Sequence, residues 1–204
     1  MKWILQLFLA LLGAGCATDH GPRASSVMFH VPDRIAILPL ENQSTDLQGA
    51  DFIRVWIFYQ MQTSGYALES MEIVDRGLSR LGISDAGQLP SVSMQALQAE
   101  LKAPAAVYGE LREFKRGNVG IYSKDHIELK LRLVELATGR ILWECEDKIE
   151  HGMVAPPNRV ADYFVEGLAR RWLDLLNNTP MQNEVVRLTR RMVKTLPRPD
   201  YGTP

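Results

Sequence analysis

At 204 residues, 46% of them hydrophobic and 23% charged, the chain is long enough for one domain with a full core and short for two. A formal net charge of -1, more negative by one if a leader carrying Lys2 is removed, excludes a general nucleic-acid binder. Two cysteines, Cys16 and Cys145, are too few for a disulfide-stapled scaffold, so each needs its own explanation.

The chain opens with Met1-Lys2, then a stretch from Ile4 to Leu12 broken only by Gln6, then Gly13-Ala14-Gly15 directly before Cys16. That is the layout of a signal peptide over residues 1–15. Its apolar part is about half of the roughly 20 residues a transmembrane helix needs. Small residues in front of a cysteine resemble the bacterial lipobox, in which the cysteine is acylated and becomes the new N-terminus. Ordinary secretion, with Cys16 lost or free, and an uncleaved anchor are the alternatives. In Gram-negative lipoproteins an aspartate directly after the cysteine holds the protein at the inner membrane; Ala17 stands there, which points to the outer membrane. Residues 16–33 contain Gly21, Pro22, Ser25, Ser26 and Pro32 without apolar periodicity, and are expected to be the lipidated cysteine followed by a flexible tether, with Val27-Met28-Phe29 its one docking patch.

The folded domain is expected over 34–178. Arg34 to Leu40 has the length and apolar content of a buried strand. Ala50 to Thr63 follows as a helix on the sheet, with Phe52, Val55, Trp56 and Tyr59 at helical spacing. A short strand at 66–70, a helix at 73–81 and a helix at 94–101 capped by Ser91 or Ser93 come next. The period then changes. Ala105 to Phe114 reads as a strand, and Ile127, Leu129, Leu131 and Leu133 alternate with Glu128, Lys130 and Arg132, so one face is buried and the other wet. Thr138-Gly139 turns the chain into a strand over 140–149, antiparallel to the last, with Ile141, Trp143 and Cys145 on its apolar face. Val160, Phe164, Leu168, Trp172 and Leu175 mark an amphipathic closing helix. Beyond it, 179–204 carries a last helix, started by Pro180 and marked by Met181, Val185, Leu188 and Met192, before a Pro-rich tail. The order describes a single-domain α/β sandwich whose sheet is parallel early and antiparallel late.

Ligands in open α/β sheets favour the carboxyl ends of parallel strands, which singles out Glu41, Asn42, Gln43, Ser44, Thr45 and Asp46. The loop lacks the glycine pattern and lysine of a phosphate cradle, and local turn hydrogen bonds are the plainer reading of its polar groups. His20, His30, His126 and His151 are too far apart in sequence to form a ligand pair, so no metal site is expected and all four read as solvated. No serine stands in a nucleophile elbow, and Glu69, Glu72 and Asp75 read as a solvated face. Cys145 reads as a small buried hydrophobe, a bridge to another chain being the alternative. Arg187, Arg190, Arg191 and Lys194 gather in the last helix, either as a solvated face or as a contact for anionic lipid or an acidic partner. No catalytic residue and no cofactor is expected.

The segments "RIAILPLENQST", "SRLGISDAGQLPSVSMQALQAEL", "PAAVYGELREF" and "LRLVELATGRILWECED" together resemble the family of uncharacterised bacterial lipoproteins typified by a meningococcal surface antigen. Its domain is similar to the N-terminal domain of TolB and the periplasmic part of CsgG. The resemblance covers about Arg34 to Leu176 and rests on packing and turn features, so it implies a fold, an envelope location and frequent oligomerisation, and only Cys16 carries over as a functional residue. It implies an outer-membrane-anchored, periplasm-facing, non-enzymatic assembly or accessory subunit of a cell-envelope complex, with an export system as one setting. The membrane is met through the N-terminal lipid, and envelope proteins or further copies of the chain are the partners. The alternative is activation of a peptidoglycan synthase, after the similar fold of LpoB; a small-ligand or enzyme role would need a deep pocket at the 41–46 loop. CsgG-like pore formation is not expected, because 114–125 is short, polar and glycine-containing.

Overall fold

The strict alternation from Ile127 to Leu133 builds the centre of the molecule. The computed structural model describes residues 21–119, 122–154 and 181–198. Strand β5 (Tyr122–Glu135) buries Ile127, Leu129, Leu131 and Leu133 almost completely. It lies between β4 (Ala105–Val119) and β6 (Ile141–Val154), antiparallel to both. Two short strands, β2 (Ile35–Ile37) and β3 (Glu41–Asn42), pair in parallel with β4, Ile35 opposite Ala105 and Glu41 opposite Glu110. The sheet is therefore mixed, parallel at the early strands and antiparallel at the late ones, as expected. At the far edge β1 (Arg23–Ser26) pairs antiparallel with β6, Arg23 opposite Glu146 and Ser26 opposite Trp143.

Strand β1 corrects the expected tether, since 23–26 belongs to the sheet. All four of its residues are exposed, and the strand is held by backbone pairing alone, which leaves no mark on side-chain periodicity. The strand expected at 66–70 reduces to one bridge, Leu68 with Ile35, because the chain turns at once into a helix whose N-cap is Ser70.

Helices α1 (Gly49–Thr63) and α4 (Gln182–Val193) pack on one face of the sheet, where Ile53, Ile57 and Met61 meet Val107, Leu111, Leu129 and Leu131 in one core. Helices α2 (Met71–Arg80) and α3 (Met94–Leu101), joined through a 3-10 turn at Ala86–Ser91, cover the other face beside β2, with Val74, Leu78, Leu97 and Leu101 against Ala36, Leu38 and Ala106. Ser70 and Ser93 cap α2 and α3 by accepting the N–H of Ile73 and Ala96 at 3.3 and 3.2 Å. Of the two serines considered for α3, Ser93 is the cap.

The last helix, expected apart from the 34–178 domain, is part of its core. Val185, Leu188 and Met192 are fully buried, Trp143 Nε1 donates to Thr195 Oγ1 at 3.0 Å, and the Tyr66 hydroxyl donates to the Pro197 carbonyl at 2.7 Å. On β6 the expected face is shifted at its start. Ile141 is 43% exposed and Leu142 is buried, because a bulge puts Leu133 opposite Trp143 and Val134 opposite Ile141. The leader, Cys16, the helix expected over 160–175, Pro180 and the tail beyond 198 lie outside the described residues.

Candidate functional site

The loop after β3, the first place to look for a ligand, spends its polar groups on itself. Asn42 Nδ2 donates to the Asp46 carbonyl at 2.7 Å, the Ser44 N–H and hydroxyl donate to Asn42 Oδ1 at 3.0 and 2.7 Å, and Gln43 Nε2 donates to Glu41 Oε1 at 3.1 Å. Asp46 Oδ1 accepts the N–H groups of Gln48 and Gly49 at 3.0 and 2.8 Å, tying down the first turn of α1. Glu41, Asn42, Gln43 and Ser44 are thus brought together as a helix-entry turn.

The acidic run divides into three separate ion pairs. Glu69 is buried and meets Arg34 at 3.2 Å, Glu72 meets Arg76 at 3.0 Å within α2, and Asp75 meets Arg54 at 2.8 Å. Arg54, which the sequence pattern did not single out, is 6% exposed and also donates from Nε and Nη2 to the Ile37 carbonyl at 3.2 and 2.8 Å. It closes the β2 edge of the sheet. Its only signal in the sequence is an arginine set in an otherwise apolar helical stretch.

The wet face of β4, β5 and β6 is a ladder of opposite charges. Arg112 meets Glu128 and Glu146 at 3.0 Å each, Lys130 meets Glu144 at 3.1 Å, and Arg132 meets Glu110 at 2.8 Å. Hydrogen bonds from Lys115 to Glu113 and from Lys124 to Glu150 hold both carboxyls below the usual carboxylate range. His126, expected to be solvated, is instead mostly covered, its side chain 14% exposed, with Glu113 at 3.1 Å and Glu150 at 3.3 Å. Cross-strand neighbours of the right sign account for this face, each pair contributing little to stability where water reaches it. Among the described residues no cluster of His, Cys, Asp and Glu is placed to hold a metal ion.

Helix α4 sorts its three candidate arginines. Arg187 and Arg190 are exposed, whereas Arg191 turns to the sheet and grips the buried Asp147 carboxylate with two bonds of 3.0 Å.

The unexpected surface is on α1. Helical spacing puts Phe52, Val55, Trp56 and Tyr59 against the sheet; the buried stripe is Ala50, Ile53, Ile57 and Met61 instead. The helix is apolar on both sides, and the narrower aliphatic side chains fit against the strands, so helical spacing alone could not choose the face. Phe52 and Trp56 lie at the edge of that stripe, partly buried against the core, and Val55 and Tyr59 are left outward. Phe52 and Trp56 stack edge to face at 6.4 Å, Trp56 and Tyr59 at 5.7 Å, and Val55 and Tyr59 are half exposed.

A family model described as "Putative lipoprotein GNA1162-like" matches residues 25–155, from within β1 to the end of β6. The chain belongs to this lipoprotein family. Among solved structures it is similar to lipoprotein GNA1162 from Neisseria meningitidis, with 19% identity, a TM-score of 0.55, and 69% of this chain and 98% of that one covered. That likeness shows a shared fold. The PelC dodecamer from Paraburkholderia phytofirmans matches with 9% identity and a TM-score of 0.45, covering 64% and 81%. The LpoB C-terminal domain from Salmonella enterica matches with 16% identity and a TM-score of 0.42, covering 72% and 94%. No curated protein matches.

Proposed function

We propose that this protein is fastened to the outer membrane by acylated Cys16, with its α/β domain in the periplasm, and serves without catalysis as an accessory subunit of a cell-envelope complex. The exposed patch of Val55 and Tyr59 on α1, with Trp56 partly buried beside it, is the surface that meets the partner, and it is the observation that carries the reading. Tryptophan and tyrosine are the side chains that anchor protein interfaces, since they bury much area while losing little rotamer freedom. Membership in a lipoprotein family supports the anchoring half. Confining the domain at a membrane raises its effective concentration for a partner held at the same surface, so modest contacts suffice.

A photo-crosslinking residue placed at Tyr59 in cells tests the reading against the same residue at Ser79 on α2. The expected result is one envelope protein captured through position 59 alone and lost in Trp56→Ala. Equal capture at both positions, or none at 59, would overturn it.

A further inference from the structure

Where β1 ends, Val27 and Met28 stand out in a cavity that Pro197, after the end of α4, also lines, and Ile141 is exposed at the start of β6. The Val27 N–H donates to the Leu142 carbonyl at 3.1 Å, which lays Val27 and Met28 next to the start of β6. Met28 is fully exposed, Val27 is 47% exposed and Ile141 is 43% exposed. Ser26 to His30 line a cavity of about 470 Å³ together with Pro197, so the end of α4 borders this corner. Among the described residues, the charged residues that flank Pro197 in the chain are both basic. Lys194 and Arg198 are exposed on either side of it, and Arg187 and Arg190 continue the ridge along α4. None of these four forms an ion pair among the described residues, in contrast to the ladder on β4 to β6 and to Arg191.

We propose that this corner docks on an anionic phospholipid bilayer. Val27, Met28 and Ile141 enter the boundary between headgroups and acyl chains, and Lys194 and Arg198 meet lipid phosphates. Small apolar tips rimmed by cations are the chemistry that holds a domain flat on such a surface. Methionine suits it, being unbranched and flexible enough to settle among acyl chains. A second copy of the same corner would set like charges against each other, whereas an anionic bilayer answers all of them. The proposal rests on the anchoring reading in one respect, that Cys16 brings the domain to a membrane. Six residues separate Cys16 from Arg23, a reach of up to about 25 Å over seven Cα–Cα steps. Strand β1 itself spans only about 13 Å. The lipid and the far end of β1 can therefore meet the same plane.

The test uses the full chain reconstituted in phosphatidylcholine vesicles with and without phosphatidylglycerol. An environment-sensitive fluorophore is attached at Met28→Cys, and in a control at the exposed Leu47→Cys; Cys145 is buried. The expected result is a blue shift at position 28 that requires phosphatidylglycerol, fades at high salt and is lost in Lys194→Glu/Arg198→Glu, with position 47 unmoved. Emission at 28 that ignores phosphatidylglycerol overturns the proposal, as does a shift that follows protein density instead of lipid. Intact mass of the same preparation separates the two readings. Acylated Cys16, whose sulfur is then a thioether, with an unshifted probe overturns the docking surface and leaves the anchor standing; unacylated Cys16, with the probe at 28 still shifted once Cys16→Ser removes the second reactive thiol, does the reverse.

Discussion

Cys145 shows how one side chain's surroundings set its chemistry. It lies on the core face of β6 with no exposure, and burial pushes its thiol up to about 11. A thiolate is therefore withheld, and neither a bridge to another chain nor nucleophilic chemistry is open to the folded protein. The folded value lies above the unfolded 9.0, so the stabilisation is complete below pH 9 and is lost as pH rises towards 11. Urea titrations across that window are expected to show a fall of about 2 kcal/mol in the wild type that Cys145→Ala lacks. Asp147 and Arg191 are the neighbouring case. Their two-bond grip orients α4 on β6, and it removes Arg191 from the candidate surface that its sequence neighbours suggested.

At the scale of elements, α1 and α4 separate what periodicity can tell from what it cannot. Helix α4 has one apolar stripe and a basic opposite side, so periodicity alone marks Val185, Leu188 and Met192 as core. Removing Leu188 tests whether this helix holds the domain together or merely trails from it. Leu188→Ala is expected to cost about 2 to 5 kcal/mol, read as a lower urea midpoint with an unchanged slope. An appendage would lose almost nothing. Helix α1 offers two apolar stripes, and only the room between strands and helix decides that Ile53 and Ile57 go in while Val55 and Tyr59 stay out.

At the scale of the whole molecule, the described residues form a sheet with two covered regions and one charged face, and its edge strand β1 begins at Arg23. Because β1 is part of the sheet, only six residues lie between Cys16 and the first strand, so an acylated Cys16, as proposed, would hold the domain near the membrane. Cys16→Ser is expected to move the protein from the membrane fraction to the soluble periplasmic fraction with its melting temperature unchanged, measured by fractionation and thermal unfolding. Retention in the membrane fraction would show that the lipid is dispensable for attachment.

The residues alone determined the class of fold, the mixed sheet, the turn at Thr138-Gly139, and most strands and helices. These follow from local period, turn chemistry and short linear patterns, which do not depend on distant parts of the chain. Tertiary structure decided which side of α1 enters the core, that 23–26 pairs as an edge strand, that α4 completes the core, and that Met28 lines a cavity with Pro197. Each of those joins positions far apart in sequence or selects between two equally apolar faces, and such choices are made by packing and backbone pairing.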